Sequence, residues 1–142
     1  MAKRTSPEQR RWVGLVKKWQ ANFWLLDWDF VIETEWTKAP KTKGIGGYGI
    51  HGEATPLPRY REAKIVQYAK NTAGVEDGSL NDTACHEVAH VFLSKVDTFV
   101  EEHLMPQLTK DARKLANSVW QELKEETTTR LTSAMTRMER LR

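Results

Sequence analysis

The segment His86-Glu87-Val88-Ala89-His90 contains the side chains best suited to metal-dependent chemistry. His86 and His90 are four residues apart, so on a helix both imidazoles project from one face, one turn apart. Two imidazole nitrogens placed in this way can bind one Zn²⁺ ion. Glu87 lies about 100° around the helix from His86, close enough to reach a water molecule on the metal without being a ligand. The pattern predicts metal-assisted hydrolysis of an amide, with Glu87 as the general base.

The sequence around this motif favours a helix that is built for a metal. A chance match in a chain with so few histidines is expected in well under about 1% of cases. The two residues inside the motif are apolar and compatible with a helix, and another apolar stretch follows it. The alternative interpretation is a pair of ordinary helical histidines that bind no metal.

A catalytic zinc site requires a third protein ligand, and the motif itself does not supply one. The metzincin arrangement is absent, because Leu93 stands where its glycine would be and Val96 where its last histidine would be. The third ligand must therefore come from farther along the chain. It is either an imidazole or a carboxylate of the C-terminal segment, and the candidates are His103, Glu122, Glu125 and Glu126.

Hydrophobic periodicity predicts the elements that position these residues. Ser6 and Pro7 indicate the start of an N-terminal helix. Apolar and aromatic residues at helical spacing predict that it continues to about Leu26. Alternating residues predict strands at Trp28–Trp36 and Arg61–Ala69, with a hairpin or irregular strand between them around Tyr48 and Ile50.

Two further helices follow these strands. Ser79 or Asn81 is expected to cap the helix that carries the motif. A long helical pattern then runs from about Leu108 to Leu141. Together the patterns predict an α+β fold with a sheet of about three strands.

Composition limits the class of protein. The length of 142 residues predicts one domain covering residues 1–142. The net charge of +3 permits contact with nucleic acid but does not demand it. No apolar run approaches the about 20 residues that span a bilayer, and the N-terminus lacks the apolar region of a secretory signal, so we expect a cytoplasmic protein without a membrane partner. A single cysteine, Cys85, excludes an internal disulfide and a cysteine-based zinc ribbon.

From Trp28 onward the chain resembles the small zincin-fold metallopeptidases of phages and mobile elements, which are related to the anti-repressor peptidases of the gluzincin type. The resemblance rests on the order strand, hairpin, strand, on the segment Thr83–Val91 with its motif, and on a C-terminal helix with a glutamate. In that family an apolar residue follows the glutamate by six positions and another comes four positions later. Glu125, with Leu131 and Met135, fits this spacing.

The resemblance implies a zincin-like peptidase domain in which His86, His90 and Glu125 hold Zn²⁺. It implies a protein or peptide substrate, and a host-cytoplasmic location if the chain is phage-encoded. It also implies that an extended substrate pairs with the strand just before the metal helix, which would be Arg61–Ala69.

Two alternatives remain open from the sequence. One is a spartan-type protease that cleaves proteins on DNA and uses His103 as the third ligand, although the residues after His103 lack the glycine and aromatic residue expected there. The other is a binding protein that keeps the metal helix and does no catalysis; Glu87 argues against it, because a structural site does not need that carboxylate. The sequence does not indicate an oligomeric state.

Overall fold

A computed structural model describes residues 5–37, 51–72 and 77–142 of the chain. Within these ranges the fold is α+β, with four α-helices and one three-stranded mixed sheet. The elements are α1 (Pro7–Asn22), β1 (Asp29–Glu35), β2 (Gly52–Leu57), β3 (Glu62–Tyr68), α2 (Ala69–Thr72), α3 (Asp77–Phe99) and α4 (Lys110–Arg140). A π-helical turn and a 3₁₀ turn join the last two helices at Val100–Leu104 and Met105–Gln107.

Helix α1 begins as its sequence predicts and ends earlier. The Ser6 hydroxyl caps it by accepting from the backbone N–H of Gln9, 3.1 Å away. The helix ends at Asn22, and Trp24 takes a left-handed backbone conformation with φ of 55°. The expected end near Leu26 is therefore wrong, and Leu26 is 74% exposed. The buried stripe of the helix is confirmed and consists of Trp12, Val16 and Trp19.

The sheet has the strand order β1-β3-β2, with β1 parallel and β2 antiparallel to β3. The predicted strand Arg61–Ala69 is present as β3, but it lies in the centre and pairs on both sides. The expectation that a substrate pairs with this strand is therefore wrong, because its backbone hydrogen-bonding groups are already used. In the described part of the chain, the outer strand beside α3 is β2.

Strand β2 contains Pro56, which is why the sequence did not predict it. The backbone N–H of Tyr68 donates to the carbonyl of His51 over 3.0 Å. Every second residue after His51 is therefore hydrogen-bonded to β3, and the backbone groups of the residues between them face away. Pro56 falls on a position that faces away from β3, where its missing N–H removes no bond of the sheet. The strand expected around Tyr48 and Ile50 lies outside the described residues.

Helix α3 packs across one face of the sheet together with α1. Ser79 and Asn81 lie inside this helix, so neither caps it as predicted. The Asn81 side chain instead accepts hydrogen bonds from Lys18 and from the indole of Trp19, which joins α3 to α1. The core between these layers includes Trp12, Val16 and Trp19 from α1, Ala63 and Ile65 from β3, and Ala84, Val88 and Val91 from α3.

Helix α4 lies on the side of α3 and confirms the long C-terminal helix. Thr109 caps it, and Leu131 and Met135 reach the core. Its seam with α3 also contains three buried threonines one turn apart, Thr128, Thr132 and Thr136. None of the helices in the described ranges is long and apolar enough to cross a membrane.

Candidate metal centre

Helices α3 and α4 bring two imidazoles and one carboxylate together. His86 Nε2 lies 2.9 Å from one carboxylate oxygen of Glu125, and His90 Nε2 lies 3.5 Å from the other. The two imidazole Nε2 atoms are 3.1 Å apart. In the described part of the chain this is the one group of three side chains of suitable type whose donor atoms cluster, all within 4.8 Å of one another.

The spacing of these three donor atoms fits one tetrahedral zinc ion. Two donors at the usual zinc–nitrogen or zinc–oxygen distance, separated by the tetrahedral angle, lie about 3.3 to 3.5 Å apart. The two Nε2 atoms are 3.1 Å apart, and they lie 2.9 and 3.5 Å from different oxygens of the Glu125 carboxylate, distances within a few tenths of an ångström of that range. The donor set of two histidines and a glutamate leaves the fourth position open, as catalytic zinc requires.

The other candidate ligands lie elsewhere. Glu126 is paired with Arg130 at 2.7 Å on the outer side of α4. His103 lies exposed in the π-helical turn, with its ring 5.7 Å from that of Phe99. Glu122, Glu125 and Glu126 are among the residues of α4 that line an open cavity of about 660 Å³, so Glu125 borders a space accessible from solvent.

Glu87 points from the same helix toward the sheet. It is only 7% exposed, and its carboxylate accepts a hydrogen bond from the backbone N–H of Ala54 in β2. A methyl group added at Gly52 would lie 3.1 Å from Glu87 Cγ, so this glycine lets β2 approach α3 closely. The carboxylate is thus held beside the histidines without joining the cluster.

Burial controls the protonation of this acid. It raises the pKa of Glu87 to about 7, although the neighbouring His86 acts in the opposite direction. A carboxylate with a pKa near neutrality can both accept and return a proton at physiological pH.

The three clustered side chains have different pKa shifts. Burial lowers the pKa of His90 to about 4, so this imidazole is neutral and keeps a lone pair for a metal. Burial also acts against the charge of His86, but its hydrogen bond with Glu125 and the charge of Glu87 outweigh that effect and raise its pKa. The same hydrogen bond from His86 lowers the pKa of Glu125 and keeps it ionised.

Comparisons with protein-family models, with curated proteins and with solved structures gave no match to this chain. The chemistry of the site is therefore inferred from the geometry of this chain.

Two contacts of the site were missed by sequence reasoning. Gly52 ends a glycine-rich stretch, and nothing in the sequence indicates that it lies against Glu87. Thr128 was not singled out, yet its hydroxyl oxygen lies 3.5 Å from His90 Nδ1. Its position three residues after Glu125 is a signal that could have found it, because that spacing places both side chains on one side of α4.

A polar contact about two turns beyond His90 on α3 fixes the two helices against each other. Asp97 of α3 accepts from the indole N–H of Trp120 at 2.8 Å and from the Lys124 ammonium at 3.1 Å. Lys124 immediately precedes Glu125, so this contact helps to set the position of α4 at the metal cluster.

Proposed function

We propose that this chain is a zinc-dependent hydrolase of the zincin-like type that cleaves a protein or peptide. His86, His90 and Glu125 hold the metal, and Glu87 is the general base. The observation that carries the proposal is the arrangement on one helix of two clustered imidazoles beside a separate, buried carboxylate. By resemblance to the phage and mobile-element peptidases, we place its activity in the cytoplasm.

The proposed roles follow from the surroundings of each side chain. His86, His90 and Glu125 would hold a zinc ion, which would lower the pKa of a water molecule to about 7 and polarise a substrate carbonyl. Glu87, buried beside the cluster, would accept the proton of the attacking water and return it to the leaving amine. The hydrogen bond from Ala54 orients the Glu87 carboxylate toward the site from the sheet side.

In the described part of the chain no strand pairs with the outer edge of β2, and this edge supports an extended peptide as substrate. The alternation set by the His51–Tyr68 bond directs the carbonyls of Gly52, Ala54 and Pro56 away from β3. Unpaired backbone groups on an outer strand can bind an added peptide strand. This edge of β2 lies beside Glu87. In this proposal it binds the substrate, the role that the sequence predicted for Arg61–Ala69.

The first experiment measures zinc in protein purified without chelator. We expect about one zinc per chain for the wild type and none for the His86→Ala, His90→Ala double variant. A matched His103→Ala variant should keep its zinc, because this residue is remote from the cluster. Full zinc in the double variant would contradict the proposal.

The second experiment separates catalysis from metal binding. Glu87→Gln keeps the size of the side chain and removes its ability to accept a proton. The variant should retain zinc and lose about 10²–10⁴-fold in the cleavage of a peptide-library substrate selected with the wild type. Undiminished cleavage would exclude Glu87 as the base. Zinc binding without any cleavage by the wild type would support the non-catalytic alternative.

A further inference from the structure

Thr128 is a buried side chain that contacts the metal cluster from behind. It is fully buried in the seam between α3 and α4, three residues after Glu125. Its hydroxyl oxygen lies 3.5 Å from Nδ1 of His90, the ring nitrogen that is turned away from the cluster. One helix therefore supplies both a member of the cluster and a contact to a second member.

The hydroxyl of Thr128 has only one possible role toward His90. It lies 2.8 Å from the backbone carbonyl of Lys124, which can only accept, so the single hydroxyl proton is used there. Toward His90 the oxygen therefore offers a lone pair. That contact is favourable only when Nδ1 carries a proton.

The position of this proton decides which nitrogen of His90 is available. With the proton on Nδ1, the Nε2 lone pair is directed at the cluster, where His86 Nε2 lies 3.1 Å away. The competing tautomer would place the proton on Nε2 and direct it at Glu125, 3.5 Å away. In that tautomer Nε2 cannot bind a metal.

We propose that Thr128 is a positioning residue whose hydroxyl oxygen holds the His90 ring in the Nδ1–H tautomer and leaves Nε2 free. This inference rests on the proposed function in so far as the freed nitrogen binds zinc. The distance of 3.5 Å between the Thr128 hydroxyl oxygen and His90 Nδ1 is at the long end of the hydrogen-bond range. Partners of this kind orient metal-binding histidines in many proteins.

Thr136 provides a matched control within the same seam. It is 4% exposed, and its hydroxyl donates to the carbonyl four residues earlier over 3.0 Å, as Thr128 does over 2.8 Å. It lies two turns beyond Thr128 and has no contact with either histidine of the motif among its hydrogen bonds. A general effect of removing a buried hydroxyl from α4 should appear equally at both positions.

The first measurement is zinc affinity by competition with a chelator. Thr128→Val keeps the shape of the side chain and should weaken zinc binding about 10–100-fold. Thr128→Ser keeps the hydroxyl and should bind within a few-fold of the wild type, as should Thr136→Val. Equal affinity for Thr128→Val and the wild type, or an equal loss in the serine or Thr136 variants, overturns the proposal. Thr128→Ala replaces the valine variant if that protein does not fold.

The second measurement needs no metal and so separates this inference from the proposed function. Ring-nitrogen NMR shifts of His90 in the metal-free protein distinguish its tautomers at about pH 8, above the ordinary histidine pKa. We expect Nδ1–H in the wild type and in Thr128→Ser, and a shift toward Nε2–H in Thr128→Val. An unchanged tautomer in Thr128→Val overturns the role of Thr128. If the wild type binds no zinc and Thr128→Val still shows the tautomer shift, only the proposed function is contradicted.

Discussion

The two sides of α3 that meet at the motif are built differently. Toward β2 the helix presents Glu87, which is buried beside Gly52 and receives one backbone hydrogen bond. Toward α4 it presents His86 and His90, which lie beside the Glu125 carboxylate and the Thr128 hydroxyl. On the sheet side Gly52 lies close to side chains of α3, and the α4 side is a seam of polar side-chain pairs.

This difference means that, in the proposed function, the base and the metal ligands have separate supports. Strand β2 contacts Glu87, the proposed proton acceptor, whereas α4 provides Glu125, the proposed third ligand, and the contact from Thr128. A substitution on the sheet side should therefore affect proton transfer while metal is retained. A substitution on the α4 side should affect the metal first.

The largest effect is expected on the α4 side. Glu125→Ala removes the one carboxylate of the cluster and should weaken zinc binding more than about 100-fold. This loss exceeds the about 10–100-fold loss expected when only a residue that orients a ligand is removed. Glu126→Ala, one residue away but on the outer side of the helix, should leave zinc binding unchanged. Chelator competition measures both, and a reversed result would move the third ligand to Glu126.

The next effect concerns the pH dependence of stability in metal-free protein. The folded-state pKa of Glu87 is about 7, raised from 4.5, so the folded state keeps a proton that the unfolded state loses. The contribution of this residue to stability is full below pH 4.5 and is lost as pH rises to about 7. Glutamine does not titrate, so Glu87→Gln does not lose this contribution. Its free energy of unfolding should rise above that of the wild type by on the order of 3 kcal/mol across that window.

Urea unfolding at several pH values in the presence of chelator checks this difference. His90 makes the stability of both proteins change with pH in the opposite direction. Because its pKa is lowered, its contribution to the free energy of unfolding is lost as pH falls from 6.5 toward about 4. Comparison of the two proteins removes that common slope. Stability curves that run parallel from pH 4.5 to 7 would show that Glu87 is not held in its protonated form.

A smaller effect tests the close approach of strand and helix. In Gly52→Ala the new methyl group would meet Glu87 Cγ at 3.1 Å, the Val66 carbonyl at 3.2 Å and Thr83 Cγ2 at 3.3 Å. We expect a loss of about 1–3 kcal/mol in the free energy of unfolding. Zinc content should remain at the wild-type level while turnover falls.

The control for this change is Gly14→Ala on the exposed side of α1. Nothing lies within 4 Å of the added methyl group there. This variant should gain about 0.5–1 kcal/mol, because alanine is the better helix former. A loss of zinc in Gly52→Ala would show that the two supports are not separate.

The smallest effect is expected at the contact beyond the cluster. Asp97→Ala removes the acceptor of Trp120 and Lys124 and should lower the free energy of unfolding by about 1 kcal/mol. Its zinc affinity should change less than that of Thr128→Val, since Asp97 fixes the helices and not a ligand. Thermal unfolding and chelator competition measure the two quantities, and a zinc loss larger than that of Thr128→Val would place Asp97 in the metal support.

Local patterns in the sequence predicted the elements well. The stripe of α1, the strands β1 and β3, the helix with the motif and the length of α4 all follow from the spacing of apolar residues within a few turns. Strand β2 was missed because a proline argues against a strand unless its N–H faces away from the partner. That orientation depends on the pairing with β3 and cannot be deduced from the segment alone.

The sequence by itself also determined that two imidazoles and a neighbouring carboxylate lie on one helix, because that requires only the geometry of consecutive turns. It could not choose among Glu125, Glu126 and His103 as the third member of the cluster. Glu125 is 39 residues from His86 in the chain, and about 100° of rotation separates it from Glu126 on α4. Only the tertiary packing decided which glutamate faces the histidines, because the buried residues Thr128, Thr132 and Thr136 fix the side of α4 that lies against α3.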